Sequence, residues 1–215
     1  MVHQVNETNL HLLQPIIKAL EASEVFDHEG QRHRLGDFLN LGPPLLVFVR
    51  QFGCIGCDVQ MSQITKYFGE FSEFNIRSIV IGCGQPKYLQ RFCAEYKLQD
   101  KPVTVFTDPT AQTHQNAKLI QSFMTSWGPR AGWDLIVGLM RGYWQSGIKG
   151  HSRQHGGALL VTGPDMSPRL RYYYRQTHLI DAPPSDEVFN ACFQLRTELL
   201  THTQQQSQDQ DLEEY

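Results

Sequence analysis

Several features that would place this sequence in common protein classes are absent. No stretch of its 215 residues approaches the ~20 consecutive apolar residues that a transmembrane helix needs. Lysine and arginine (19) do not outnumber aspartate and glutamate (22), and the formal net charge of -3 argues against nucleic acid as a partner. The first residues contain no basic region followed by an apolar run, so no signal peptide is predicted. These absences predict a soluble cytoplasmic protein with neither a membrane nor a nucleic acid as its partner.

Cysteine is scarce, and its spacing excludes further classes. Five cysteines are an odd number, and they are not spaced as in a small secreted disulfide scaffold, so a reducing compartment is predicted. A structural zinc site needs a second closely spaced pair, or a histidine motif such as H-x-x-x-H, and neither is present. No metal and no cofactor are therefore predicted. We interpret the isolated Cys93 and Cys192 as core residues, and Cys83, just after a strand, as an apolar filler in preference to a third redox thiol.

The most informative stretch runs from Leu45 to Met61. Its five apolar residues at 45–49 are typical of a strand buried on both faces, and the helical spacing that follows is carried by Met61, Ile64, Phe68 and Phe71. Between them, Cys54 and Cys57 form a C-x-x-C motif where a strand leads into a helix. The N-H groups and the dipole of a first helical turn stabilise a thiolate, and two intervening residues allow a disulfide to close. The motif therefore predicts a redox site, in preference to half of a zinc site or to two ordinary buried cysteines.

The rest of the chain predicts an α/β protein. A helix is expected within 9–22, its start limited by Pro15, and a hairpin within 25–39. Parallel strands at 45–49, 76–81 and 103–106 alternate with helices, and an antiparallel pair at 156–161 and 169–175 precedes a helix that Ser185 caps. This order predicts a mixed central sheet with helices on both faces. We expect one domain over 1–203, with an N-terminal hairpin extension, an insertion at about 120–155 and a disordered tail at 204–215.

The insertion is rich in aromatic residues, since it contains all three tryptophans: Trp127, Trp133 and Trp144. Its helical spacing is partial. It could cover the active-site edge, form a homodimer surface, lie on a membrane, or add a core layer. Core packing or a homodimer is favoured over membrane contact, because Arg141 and Lys149 are nearly the only basic residues it offers.

Four motifs together carry a family resemblance. They are FVRQFGCIGC, the QHGGA that begins at Gln154, the Gly163-Pro164 turn, and YYYRQTHLIDAPP. From roughly Val25 to Phe193 the chain resembles the peroxiredoxin-like 2 family, or AhpC/TSA antioxidant-enzyme-domain proteins. The resemblance implies a thioredoxin-like fold and a thiol-based antioxidant or reductase activity, with Cys54 and Cys57 as the motif cysteines. One class within that family reduces prostaglandin endoperoxides.

The sequence departs from the related patterns at two places. Typical peroxiredoxins carry P-x-x-x-[TS]-x-x-C, but the proline and hydroxyl positions are Val47 and Gln51 when counted from Cys54, and Arg50 and Cys54 when counted from Cys57. Thioredoxins place a proline before the strand that faces the disulfide, where this chain has a histidine and two glycines at 155–157. Neither the peroxide-orienting motif nor the thioredoxin proline is therefore present.

Our mechanistic hypothesis is that Cys54 is the nucleophile and Cys57 the resolving thiol. Cys54 is expected to be the more exposed and the more easily ionised, whereas Asp58 opposes ionisation of Cys57. Arg50 either stabilises the thiolate or a developing oxyanion, or is a salt-bridged arginine at a strand end; the two interpretations have equal weight. A Cys54 sealed from solvent, or no more reactive than a peptide cysteine, would exclude this hypothesis.

Three functions follow from these predictions. The first is reduction of peroxides through a Cys54 sulfenic acid and a Cys54-Cys57 disulfide, with a thiol donor such as thioredoxin or glutathione. The second is reduction of endoperoxides or protein disulfides, coupled to thioredoxin. The third is a thioredoxin-fold interaction protein without turnover, whose aromatic segment binds a partner.

Overall fold

A seven-stranded mixed sheet is the centre of the computed structural model, which describes residues 10–122, 128–143, 150, 153–163 and 170–213. The strands are β1 (Glu24–Phe26), β2 (Arg32–Arg34), β3 (Pro44–Phe48), β4 (Arg77–Gly82), β5 (Val103–Thr107), β6 (Gly157–Val161) and β7 (Leu170–Arg175). Their spatial order is β2-β1-β5-β4-β3-β6-β7. The predicted mixed sheet and its N-terminal hairpin are therefore confirmed.

The described helices lie before, between and after these strands in the sequence. They are α1 (Leu10–Glu21), α2 (Gly36–Leu39), α3 (Ile55–Ile64), α4 (Phe68–Glu73), α5 (Leu89–Glu95), α6 (Gln112–Asn116), α7 (Pro129–Met140) and α8 (Ser185–Glu213). A 3-10 turn at Thr65–Tyr67 joins α3 to α4. Within the part of the chain that is described, no helix has both the length and the apolarity to cross a membrane.

β3 is the central strand, and its register explains why the apolar run at 45–49 is buried. It pairs in parallel with β4, with Leu46 opposite Ile79, and antiparallel with β6, with Leu46 opposite Leu159. All five of its residues are buried. Since successive side chains of a strand point to opposite faces, an unbroken apolar run fits a strand that helices cover on both sides.

Two hydrophobic cores lie on the two faces of the sheet. Leu45 and Val47 face the core that includes residues of α3, α4, α5 and α8, whereas Leu46 and Phe48 face the core formed with α1 and α2. The prediction of helices on both faces is confirmed. Both motif cysteines belong to the first core.

The structure differs from the sequence-based predictions at both ends. Pro15 lies inside α1 and does not limit its start; the burial of Ile16, Ile17 and Leu20 offsets the hydrogen bond that a proline removes. The predicted disordered tail is also corrected, because α8 continues to Glu213. Glutamine, glutamate and leucine have good helix propensity, and elongation of an existing helix is easier than nucleation.

Candidate functional site: a C-x-x-C pair at a helix N-terminus

The structure places the C-x-x-C motif at the start of α3, as predicted. Cys54 is the N-cap residue, with extended backbone angles (φ -82°, ψ 137°). Its carbonyl accepts hydrogen bonds from the N-H groups of Cys57 (3.0 Å) and Asp58 (3.1 Å), which close the first turn. The side chain of an N-cap residue meets the unsatisfied N-H groups of the first turn, so the Cys54 sulfur occupies a site suited to an anion.

The loop that leads to Cys54 is held by buried side chains from elsewhere in the chain. The three carbonyl groups of residues 49–51 accept, in order, from His114 Nε2 (2.9 Å), from the Cys83 thiol and from Cys57 Sγ (3.0 Å). Cys83 is therefore a buried hydrogen-bond donor that supports the loop, which differs from the predicted apolar filler. These contacts fix the backbone on which Cys54 is presented.

The two thiols differ in their electrostatic surroundings. The Cys57 thiol, the nearby Arg50 charge and the N-H groups of Gly56 and Cys57 together outweigh burial and lower the pKa of Cys54 to about 6. Burial and the neighbouring Cys54 raise the pKa of Cys57. Each of these causes either favours or disfavours a negative charge on sulfur. Cys54 is therefore the thiolate of the pair at neutral pH, and Cys57 stays a protonated thiol.

The expectation that Cys54 is the more exposed of the two thiols is wrong. Its exposed fraction is 1%, and that of Cys57 is also 1%. The backbone of residues 178–180 lies directly over α3: a Cβ atom at Gly56 would be 2.0 Å from the carbonyl oxygen of Leu179. Helix α7 of the insertion packs beside it, where a Cβ atom at Gly138 would be 2.6 Å from Ile55 Cδ1. In this conformation no substrate reaches Cys54, so the catalytic hypothesis is excluded for the closed structure. It is retained only for a conformation in which this covering structure opens.

Arg50 is inside the site. It is 2% exposed and is among the largest fully buried side chains, so its charge lies in the interior of the protein. The choice between a role at the thiolate and a structural ion pair at the strand end stays a prediction. Its charge lowers the pKa of Cys54 and contributes to the low pKa of His155, which burial brings to about 4. His155 is therefore neutral at neutral pH, and Arg50 supplies the positive charge near the thiols.

Sequence reasoning missed a buried amide network that fixes α3 to the sheet. Gln60, one turn after Cys57, donates from Nε2 to the Gly157 carbonyl (3.1 Å) and accepts from Gln176 Nε2 (3.3 Å). Gln176 Oε1 also accepts from the Gly156 N-H (2.8 Å). The network reaches Gly156 and Gly157, at the start of β6. The position of both glutamines among apolar residues could have indicated a buried polar contact. Nothing in the sequence indicates that these two residues, 116 positions apart, bond to each other.

The segment predicted as an insertion, at about 120–155, contributes helix α7, which packs against Ile55 beside the two thiols. Its other side is open to solvent: Trp133 is 66% exposed, and Met140 is 83% exposed. The remaining tryptophans, Trp127 and Trp144, lie outside the described residues. Among the side chains that are described, no group of three or more histidine, cysteine, aspartate or glutamate residues is arranged to hold a metal ion.

Three comparisons relate this chain to known proteins. The sequence model of the family described as AhpC/TSA antioxidant enzyme matches residues 63–178. Human Peroxiredoxin-like 2C is 24% identical over 185 residues, covering 81% of this chain and 79% of the relative. Peroxiredoxin-like 2C of Takifugu rubripes is 24% identical over 173 residues, covering 74% of each chain.

Solved structures with the same fold include peroxiredoxins. Xanthomonas campestris peroxiredoxin Q has a TM-score of 0.56 and 12% identity, covering 83% of this chain and 94% of that one. A thiol peroxidase from Chromobacterium violaceum has a TM-score of 0.52 and 16% identity, covering 85% and 83%. At these identities the likeness concerns the fold, and it confirms the predicted thioredoxin-like arrangement.

The family match and the site geometry are separate observations. The matched residues begin at 63, after both motif cysteines, so the match does not depend on the C-x-x-C pair. The family supports a thiol-based redox function, and the site supplies two thiols with opposite pKa shifts. The match covers more than half of the chain, and the relatives carry the peroxiredoxin-like 2 name that the motifs predicted. The chain therefore belongs to the AhpC/TSA antioxidant enzyme family and, within it, resembles the peroxiredoxin-like 2 proteins.

Proposed function

We propose that the protein reduces small peroxides through a dithiol/disulfide cycle in which Cys54 is the nucleophile and Cys57 the resolving thiol. The observation that carries the proposal is the asymmetry of the pair. The pKa of Cys54 is lowered to about 6 at the N-cap of α3, while that of Cys57 is raised. A thiolate is the reactive form of cysteine, and a neighbouring thiol is what resolves its oxidised product.

The chemistry balances in three steps. The Cys54 thiolate attacks one oxygen of the peroxide, the O-O bond breaks, and Cys54 becomes a sulfenic acid while the other oxygen leaves as alkoxide or hydroxide and takes a proton from solvent to form an alcohol or water. The Cys57 thiol then condenses with the sulfenic acid, which forms the disulfide and releases water. An external thiol donor, such as thioredoxin or glutathione, returns two electrons and two protons to restore both thiols.

Arg50 has a supporting role in this proposal. Its buried guanidinium lowers the pKa of Cys54, which favours the thiolate before reaction. The same charge stabilises negative charge that develops on the leaving oxygen, provided that the oxygen departs on the Arg50 side. The usual peroxide-orienting proline and hydroxyl residue are absent. The proposal therefore depends on the charge of Arg50.

The burial of Cys54 separates this proposal from reduction of protein disulfides. A sulfur that is 1% exposed cannot approach a disulfide on another folded protein without a large movement of the covering structure. A small peroxide needs a smaller opening. The homodimer, the cytoplasmic location and the identity of the thiol donor stay predictions from the sequence.

Mass spectrometry of the reduced protein, after one equivalent of hydrogen peroxide, tests the proposal. The wild type is expected to lose two hydrogens as Cys54 and Cys57 join. The Cys57→Ser variant is expected to gain the mass of one oxygen at Cys54, because the sulfenic acid has no resolving partner. The Cys54→Ser variant is expected to gain neither change within the same time.

The matched control is Cys192→Ser, since Cys192 is equally buried in the same core but has no role in the cycle. It is expected to form the disulfide at the wild-type rate. Oxygen incorporated in the Cys54→Ser variant at the rate seen in Cys57→Ser would assign the nucleophile to another thiol. A wild type without any change of mass would rule out the cycle and favour an interaction protein without turnover.

A further inference from the structure

Asp134 is a buried acid on a helix whose exposed side chains include Trp133, Ile136, Leu139 and Met140. It lies on α7, is 4% exposed, and is flanked by Trp133, which is 66% exposed. Acidic side chains are almost never fully buried unless they are paired. Its position within the aromatic insertion therefore calls for a specific partner.

The partners of Asp134 belong to the segment that covers the C-x-x-C pair. Its Oδ2 accepts a hydrogen bond from the Leu179 N-H (3.0 Å) and lies 3.1 Å from His178 Nδ1, which donates to it. The carbonyl of the same Leu179 lies over Gly56. One carboxylate thus holds α7 to the residue whose backbone covers the helix of the thiols.

The covering segment is itself a pre-formed turn. Asp181 Oδ2 accepts from both the N-H and the hydroxyl of Thr177 at 2.8 Å, and Tyr174 donates to its other oxygen. The two hydrogen bonds from Thr177 are internal to 177–181 and hold its shape, whereas the one from Tyr174 ties the turn to β7. We call α7 and 177–181 together the cover.

Apolar contacts complete the closed arrangement. Ile55, the residue after Cys54, fits against the bare backbone of Gly138 on α7, and Ile180 of the turn approaches the same glycine. Apolar contacts of this kind are non-directional, whereas the hydrogen bonds to Asp134 specify one relative position of helix and turn.

We propose that Asp134 is a positioning residue that holds the cover closed over Cys54, so that breaking its contacts admits a small substrate to the thiolate. The description of the admitted molecule as a substrate rests on the proposed function. The control of access to Cys54 by the cover does not rest on it. The cover opens as a local unit, while the core around Cys192 stays packed. The thiolate is thereby protected from bulk solvent until the contacts of Asp134 break.

Thiol labelling in the full-length reduced protein tests the inference. Iodoacetamide modifies each cysteine at a rate that peptide mapping by mass spectrometry resolves, so the five cysteines report separately on local opening and on global unfolding. For Asp134→Ala we expect labelling of Cys54 to be faster by on the order of tenfold, the effect of losing hydrogen bonds to a charged group. Cys83 and Cys192 are expected to keep their wild-type rates.

Two further variants make the result specific. Asp134→Asn keeps an oxygen that can accept from the Leu179 N-H, so its labelling of Cys54 is expected to fall between those of Asp134→Ala and the wild type. Asp100→Ala removes an exposed acid distant in sequence from the cover and is expected to change no rate.

The outcomes separate this inference from the proposed function. Unchanged labelling of Cys54 in both Asp134 variants would overturn it. Parallel acceleration of Cys54, Cys83 and Cys192 in both variants would also overturn it, because Asp134 would then stabilise the whole fold. Faster labelling of Cys54 alone, in a protein that hydrogen peroxide leaves unchanged in mass, would support the cover and contradict peroxide reduction.

Discussion

Cys54 and Cys192 are two cysteines of the same hydrophobic core with opposite chemistry. They are 1% and 0% exposed, respectively. Burial raises the pKa of Cys192, which lies within α8, whereas donors and charge lower that of Cys54. The half-buried Cys93 behaves like Cys192, because burial raises its pKa as well. Burial alone therefore makes a thiol inert, and a helix N-cap with a buried cation reverses the effect.

The largest expected difference between the two cysteines is in their thiolate populations. At pH 7, a pKa of about 6 leaves roughly nine-tenths of Cys54 ionised, whereas burial raises the pKa of Cys192 and keeps that thiol protonated. Thiolate ultraviolet absorbance measures this without requiring access for a reagent. The wild type is expected to show an absorbance step with a midpoint near pH 6.

Two matched variants show which cysteine produces the absorbance step. Cys54→Ser is expected to remove it, and Cys192→Ser is expected to leave it unchanged. A midpoint in the ordinary cysteine range, or a step that survives in Cys54→Ser, would contradict the comparison.

A substitution at Gly56 is expected to disturb the packing around Cys54 and to leave that around Cys192 unchanged. A Cβ atom at this position would be 2.0 Å from the Leu179 carbonyl oxygen, so Gly56→Ala must displace the turn or the helix. We expect a loss of about 3 kcal/mol in the free energy of unfolding, typical of overpacking a buried contact. Urea unfolding measures it.

Gly69→Ala is the control, because a Cβ atom at Gly69 has no neighbour within 4 Å. Gly69 lies inside α4, where alanine is expected to stabilise the helix by up to about 1 kcal/mol. If Gly56→Ala unfolded at the wild-type urea concentration, the close approach of Leu179 would not constrain the site.

The smallest expected effect is the contribution of the Arg50 charge to the pKa of Cys54. Replacing Arg50 with methionine removes the buried charge that favours the Cys54 thiolate. We expect the pKa of Cys54 to rise by about one unit, equivalent to about 1.4 kcal/mol, with Arg50→Lys showing a smaller rise. The midpoint of the thiolate absorbance step measures the shift.

The exposed Arg91, replaced by methionine in the same way, is expected to leave that midpoint in place. An equal shift in both variants would mean that net charge, and not the position of Arg50, controls Cys54.

Much of the fold was predictable because its signals are local. The apolar run at 45–49 specifies a buried strand, and the spacing of Val188, Cys192 and Leu195 specifies one buried helical face. The disordered tail was predicted wrongly, because a polar composition also suits an exposed helix continued from a packed one. Pro15 lies inside α1 for a similar reason, because packing of the following turn outweighs the low helix propensity of proline.

The candidate site was predictable only in part. Cys54 and Cys57 could be placed at a helix start because strand, turn and helix are adjacent in sequence. The amide network of Gln60 and Gln176 joins residues 116 positions apart, and Asp134 meets Leu179 across 45. Pairing at such separations depends on how elements pack, which sequence spacing does not report. The burial of Cys54 was missed for the same reason.

The amino-acid sequence by itself determined that two thiols, one helical turn apart, lie at the positive end of a helix dipole behind a buried strand. That arrangement follows from neighbouring residues, and it selects which sulfur ionises. Only the tertiary structure decided whether anything can reach that sulfur. Its cover is built from a helix at 129–140 and a turn at 177–181, which contact the motif through packing across distant parts of the chain.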